Sequence, residues 1–144
     1  MNLPDKELLT SLRAQAMQVS KNAYSPYSRF QVGAVVVDRE GRSFTGCNME
    51  NASYSLTQCA ERNAIAAAVS NGSSAGSLMT LVIYKAGEQA LPPCGACRQV
   101  MHEMMSEESR VISCCDSNDM KIWSRNDYLP DAFEYRNHQL DRNE

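Results

Sequence analysis

Two stretches, Cys59-Ala60-Glu61-Arg62 and Pro93-Cys94-Gly95-Ala96-Cys97, constrain this chain more than anything else in it. Each leads into a helical pattern, so a fold in which their cysteines cooperate must bring two helix starts together. Zinc takes about four ligands in a tetrahedron, and a catalytic site leaves one position to water or substrate. Cys59, Cys94 and Cys97 supply three ligands. A closed structural site needs a fourth, and the remaining cysteines are Cys47, Cys114 and Cys115. Cys114 and Cys115 are adjacent in a predicted strand and face opposite ways, so at most one could reach a metal. The pattern reads as a three-thiolate zinc site with an open position, the catalytic form.

Glu61 stands two residues after a ligand, too close to serve as a comfortable fourth one. Beside an open position it is placed to take a proton from water and pass it on, which needs a reach of about 3 Å. Zinc lowers the pKa of the water it binds, and three thiolates weaken that effect by neutralising the ion. Arg62 is the candidate to donate to the thiolates and restore the charge balance. Taken singly, each motif has a plainer reading. A cysteine before a helix is usually a small buried apolar residue, and Pro-Cys-x-x-Cys serves redox chemistry as well as metals. A redox dithiol belongs after the first strand of a βαβ unit, whereas this one comes late. The two motifs together point to metal catalysis.

At 144 residues the chain reads as one domain, 1–144, with a core of ordinary size. Lysine plus arginine number 14 against 17 acidic residues, a net charge of −3. A nucleic-acid groove normally shows as a basic stripe, and none is visible. No apolar run follows Met1-Asn2-Leu3-Pro4-Asp5, so neither a signal peptide nor a membrane span is expected. Cysteines that must stay reduced to bind metal suit the cytoplasm.

In chain order, residues 5–21 form a predicted helix, with Leu8, Leu9, Leu12, Ala16 and Val19 at helical spacing. Tyrosines and serines around Pro26 make a loop ending at Phe30. Val32–Val37, continuously apolar, suits a strand covered on both faces. After the turn at Asp38-Arg39-Glu40-Gly41, residues 42–47 return as its hairpin partner. Asn48 and Glu50 follow in a polar loop; they either hold a pair of hydroxyls, as on a ribose, or cap their own backbone. A helix over 58–70 stops at Asn71-Gly72, with Cys59 and Glu61 in its first turn. Strand 78–84, helix 97–105 and strands 111–115 and 120–123 complete the pattern. Met101, Met104 and Met105 read as core, His102 as helix surface, and Glu103, Glu107 and Glu108 as a solvated face. Asn126-Asp127 is expected to cap a short turn, and 134–144 to form a polar tail that includes His138. The order α-β-β-α-β-α-β-β makes an α/β fold, a three-layer α-β-α sandwich around a mixed five-stranded sheet, with both helix starts at one sheet edge.

These residues closely resemble the small homotetrameric zinc-dependent cytidine deaminases from about Tyr24 to Phe133. The resemblance rests on Pro26-Tyr27-Ser28-x-Phe30-x-Val32-Gly33-Ala34, Gly46-Cys47-Asn48-x-Glu50-Asn51-Ala52, Cys59-Ala60-Glu61-Arg62-x-Ala64-Ile65, Pro93-Cys94-Gly95-Ala96-Cys97-Arg98-Gln99 and Leu129-Pro130-x-x-Phe133. It implies hydrolysis of cytidine and deoxycytidine to uridine and deoxyuridine, with release of ammonia for pyrimidine salvage. It further implies one zinc per subunit on Cys59, Cys94 and Cys97, Glu61 as proton shuttle, and Arg62 balancing the thiolates. Asn48 and Glu50 would bind the sugar, Phe30 would pack on the base, and Ala60 would contact the pyrimidine edge. Ala52, Tyr54 and Phe133 match positions that complete a neighbouring subunit's pocket. Two departures stand out. Pro92 replaces a more usual serine, and Cys114-Cys115-Asp116 breaks a strand normally rich in threonine, valine or leucine, with no function implied. Blasticidin S or a cytidine nucleotide remains an alternative substrate, and a non-catalytic zinc module a different class. An unpaired carboxylate in a pocket has no use in such a module.

Overall fold

The computed structural model describes residues 3–134. The expected tail beyond Glu134, with His138, lies outside them. Helix α1 (Lys6–Ser20) is opened by Asp5, whose Oδ1 accepts from the Leu8 amide at 2.8 Å. Its buried stripe is Leu12, Ala16 and Ser20, flanked by Leu9 and Met17, while Leu8 faces outward. Strands β1 (Val32–Asp38) and β2 (Ser43–Cys47) form the expected antiparallel hairpin. A single 3-10 turn (Tyr54–Leu56) leads to α2 (Ala60–Ser70), then β3 (Leu78–Lys85) and α3 (Gly95–Met104). Strands β4 (Met105–Cys114) and β5 (Met120–Ser124) and a short α4 (Arg125–Tyr128) follow.

The sheet order is β2-β1-β3-β4-β5. Only the β3–β4 pairing is parallel, as a crossover through α3 requires, so the sheet is mixed. Alternation along the central strands sorts the core into two layers. Ala34, Val36, Leu81, Ile83 and Val111 face α2 and α3 on one side. Val35, Val82, Tyr84, Ile112 and Cys114 face α1 on the other. Both faces of β1 and β3 are covered, which is why these strands read as continuous apolar runs. Among the described residues no helix is long and apolar enough to cross a membrane.

Two glycines set the spacing of the layers. A Cβ built on Gly33 would lie 1.8 Å from the Ala16 carbonyl oxygen of α1, and one on Gly46 would lie 2.3 Å from the Ala64 amide nitrogen of α2. Both are backbone atoms and cannot rotate away. Gly33→Ala is therefore expected to cost about 3 kcal/mol, the upper range for overpacking, because α1 must lift off β1. Urea unfolding checks this, and a loss below about 1 kcal/mol would show that α1 yields easily.

Four expectations need correction. Strand β4 begins at Met105, directly after α3, not at residue 111. Met105 already has extended backbone (φ −81°, ψ 148°), so Glu107 and Glu108, solvated as expected, belong to the strand. Between the Leu78–Met105 and Thr80–Arg110 partners β3 advances two residues and β4 five, an irregularity that turns Glu107 and Glu108 out to solvent. His102 is buried, 7% exposed, because Arg125 donates from Nε and Nη2 to its carbonyl, and Glu134 reaches its Nε2 at 2.8 Å. Ser124, not Asn126, caps α4, in a reciprocal capping box with Asp127. Finally, the helix starts meet over the carboxyl ends of the central strands β3 and β4, where Ile83 and Ser113 lie, and not at an outer edge.

Candidate active site

Cys59 and Cys94 are the N-caps of α2 and α3, both in extended conformation (φ −75°, ψ 154° and φ −68°, ψ 164°). The free amides of a helix's first turn, and its partial positive charge, favour anionic groups there. The Cys94 Sγ accepts from the Cys97 amide at 3.5 Å, which ties both cysteines of the second motif to one turn. Cys97, three residues into the motif, is fully buried.

The three Sγ atoms lie within 4.8 Å of one another, and those of Cys59 and Cys94 are 3.8 Å apart. Two thiolates each about 2.3 Å from a tetrahedral zinc would sit roughly 3.8 Å apart, so this donor set fits zinc in both chemistry and spacing. The Arg62 guanidinium donates to the Cys59 Sγ at 3.3 Å and reaches the Thr57 carbonyl at 3.5 Å. Cys59 is pulled down to about 5, first by the hydrogen bond with Cys97 and then by Arg62. The same Cys59–Cys97 bond, with burial, pushes Cys97 up. Cys114 packs beneath α1 and Cys115 lies beyond the end of β4, so neither joins this cluster.

Glu61 follows in the first turn of α2, 6% exposed, and burial pushes its carboxyl above the usual range. It lines a cavity of about 320 Å³ together with Cys59, Ala60 and Cys94. Ile83, Lys85 and Ser113 come from the central strands, Phe30 and Val32 from the entry to β1, and Leu91 and Pro92 from the segment leading to Cys94. The volume suits a molecule of nucleoside size.

Asn48 and Glu50 line the cavity and also brace its wall. Asn48 Oδ1 accepts from the Val32 amide at 2.8 Å and Nδ2 donates to the Phe30 carbonyl at 2.7 Å. Glu50 Oε1 accepts from the amides of Tyr27 and Ser28 at 3.0 and 3.1 Å. Both side chains thus hold the backbone of the distant 27–32 stretch, not their own, and still line the cavity, since each group retains further hydrogen-bonding capacity. Lys85, which the sequence did not single out, holds its ammonium 4.8 Å from the Phe30 ring centroid. Its only sequence signal is its place at the end of β3.

Ala52, Tyr54 and Phe133 do not line this cavity. Tyr54, 76% exposed, meets Tyr27 edge-on at 6.0 Å beside a separate shallow hollow. Phe133 is 64% exposed, its carbonyl held by Gln99.

Residues 6–114 match the family described as the cytidine and deoxycytidylate deaminase zinc-binding region. A cytidine deaminase of Halalkalibacterium halodurans is 39% identical over 129 residues, covering 90% of this chain and 94% of that protein. One from Mycobacterium tuberculosis is 42% identical over 122 residues, covering 85% and 86%. The crystal structure of a cytidine deaminase from Burkholderia pseudomallei superposes with a TM-score of 0.82 at 40% identity, covering 86% of this chain and 98% of that one.

Proposed function

The chain belongs to the zinc-dependent cytidine deaminase family, and we infer from this that it hydrolyses cytidine and deoxycytidine to uridine and deoxyuridine, releasing ammonia. The observation that carries the reading is a buried carboxylate beside three thiols at two helix starts, inside a cavity of nucleoside size. Cys59, Cys94 and Cys97 would hold one zinc ion per subunit, which would supply the Lewis acid that lowers the pKa of water towards neutral. Glu61 takes the proton of the attacking water and gives it to the ring nitrogen beside the amino-bearing carbon. After the carbon–oxygen bond forms, Glu61 moves the proton of the new hydroxyl to the amino group; the carbon–nitrogen bond breaks, ammonia leaves, and the carbonyl of the uridine forms.

The remaining residues orient the nucleoside. Ala60 presents backbone to the pyrimidine edge, Phe30 packs against the base, and Asn48 and Glu50 take the sugar hydroxyl. Arg62 offsets the charge of the thiolates by its bond to Cys59. Exposed Tyr54 and Phe133, with Ala52, suit a homotetramer in which each pocket is completed by its neighbours. Thiols that must stay reduced suit a cytoplasmic enzyme of pyrimidine salvage. One observation favours a second reading. The Lys85 ammonium in the cavity wall could attract a nucleotide phosphate, although the Glu50 carboxylate opposes it.

The ultraviolet absorbance change on adding zinc-loaded protein to cytidine, deoxycytidine, cytidine monophosphate and blasticidin S tests the proposal. Loss of absorbance with both nucleosides, at a kcat/KM at least about tenfold above that for the nucleotide, is expected. Turnover of the nucleotide or of blasticidin S alone would keep the chemistry and overturn the sugar assignment. No turnover by zinc-loaded protein would overturn the activity itself.

A further inference from the structure

The segment between Lys85 and Cys94 supplies Leu91 and Pro92 to the cavity wall and then delivers a thiol of the cluster. It has no regular secondary structure, so its backbone groups need partners from elsewhere. The turn joining β4 to β5 provides them. The Asp116 amide donates to the Gly87 carbonyl at 2.9 Å, and the Gly87 amide donates back to Asp116 Oδ2 at 2.7 Å. The Tyr84 hydroxyl donates to Asp116 Oδ1. Ser117 Oγ donates to the Glu88 carbonyl at 2.8 Å, and the Ala90 amide donates to Asp119 Oδ2 at 2.8 Å. Gly87 adopts φ +116°, a conformation that residues with a Cβ rarely accept, so the segment bends where Asp116 receives it.

The turn is itself fixed from below. Cys115, fully buried, holds Ser117 Oγ at 3.2 Å and donates to the Asp119 carbonyl at 3.3 Å, while Arg13 of α1 donates to the Cys115 carbonyl. The bonds with Tyr84 and Gly87 hold the Asp116 carboxyl below its ordinary range, so it stays ionised and accepting at neutral pH. Cys114-Cys115-Asp116, the stretch that departs from the family pattern, opens this turn.

We propose that Asp116 and Asp119 are positioning residues for the reaction: they clamp the 86–93 segment so that Leu91 and Pro92 close the cavity and Cys94 arrives in register with Cys59. The proposal rests on the activity inferred above for this cavity. Neither aspartate lines the cavity or belongs to the thiol cluster, so both act through the segment. Ala90, fully buried and one residue from Leu91, carries the effect of Asp119 inward.

The test uses the full-length, zinc-loaded protein with Asp119→Ala, Asp119→Asn and Asp116→Ala. Each is measured for KM and kcat on cytidine, for the rate of zinc transfer to a chelator, and for Tm. Asp119→Ala is expected to raise KM about fivefold, change kcat by less than about twofold, and speed zinc transfer about tenfold. Asp119→Asn keeps an oxygen for the Ala90 amide and is expected to restore both readings to within about twofold of the parent. Asp116→Ala, which loses two bonds, is expected to exceed Asp119→Ala in both. Parental KM and parental zinc transfer in the two alanine variants would overturn the proposal. So would a fall in Tm with both readings unchanged, which would leave the turn a structural part only. A parent that holds zinc but turns over no cytidine would overturn the inferred activity instead, and the zinc-transfer comparison would still decide the clamp.

Discussion

Replacing Glu61 with glutamine lowers kcat on cytidine by roughly 10²- to 10⁴-fold, the range that a positioned proton carrier contributes, while the protein keeps its zinc. Glutamine matches glutamate in volume and fills the same buried place in the first turn of α2, so the fold and the three thiols stay as they are. What it lacks is a basic oxygen that can take a proton from water and give it up again. Among the described residues no other carboxylate is placed to substitute: Glu50, the other acidic residue of the cavity wall, spends one oxygen on the amides of Tyr27 and Ser28. KM should change little, because sugar and base are held elsewhere. Steady-state kinetics with zinc measured on the same sample check this. A loss below about tenfold would mean that Glu61 is not the shuttle.

Cys97→Ala is expected to purify with almost no zinc and no detectable turnover, and to melt where the metal-stripped parent melts. Cys97 is the fully buried member of the cluster, so its loss leaves two ligands, one of them exposed. A metal bound at a thousand times its dissociation constant stabilises the native state by about 4 kcal/mol, which for a domain of this size corresponds to roughly 10 °C in Tm. A chelator should therefore lower the Tm of the parent by about that amount and leave the Tm of Cys97→Ala unmoved. Calorimetry with and without chelator decides it. A chelator shift of equal size in both proteins would place the metal elsewhere.

Much of the fold is legible in the chain because its strongest signals are local. Strands β1 and β3 are buried on both faces and read as unbroken apolar runs, and α1 begins at an aspartate that caps it. The cluster was legible for a different reason, since ligand spacing at two helix starts leaves few alternatives. What escaped depends on contacts distant in sequence. His102 is buried by Arg125 and Glu134, and polar Met105–Arg110 becomes strand only by pairing with β3. The aspartates at 116 and 119 look like ordinary turn residues until the 86–93 segment is laid against them. Asn48 shows a limit of another kind. Capping its own backbone and lining the cavity look like rival roles in the sequence, yet the side chain lines the cavity while bonding the distant backbone of Phe30 and Val32.

The glycine at position 46 bears on how such a catalyst could be re-engineered. Ala60 and Ala64 of α2 press backbone against backbone on β2 at this point, so the helix that carries Cys59 and Glu61 has no slack against the sheet. Enlarging the chamber by sliding that helix outward would break its closest packing and move the proton carrier with it. Room for a bulkier base has to come from elsewhere in the lining, from Phe30, Leu91 and Pro92, which stand on chain that is neither helix nor strand. A library built to alter substrate scope would therefore vary those three positions and leave 46, 60 and 64 untouched.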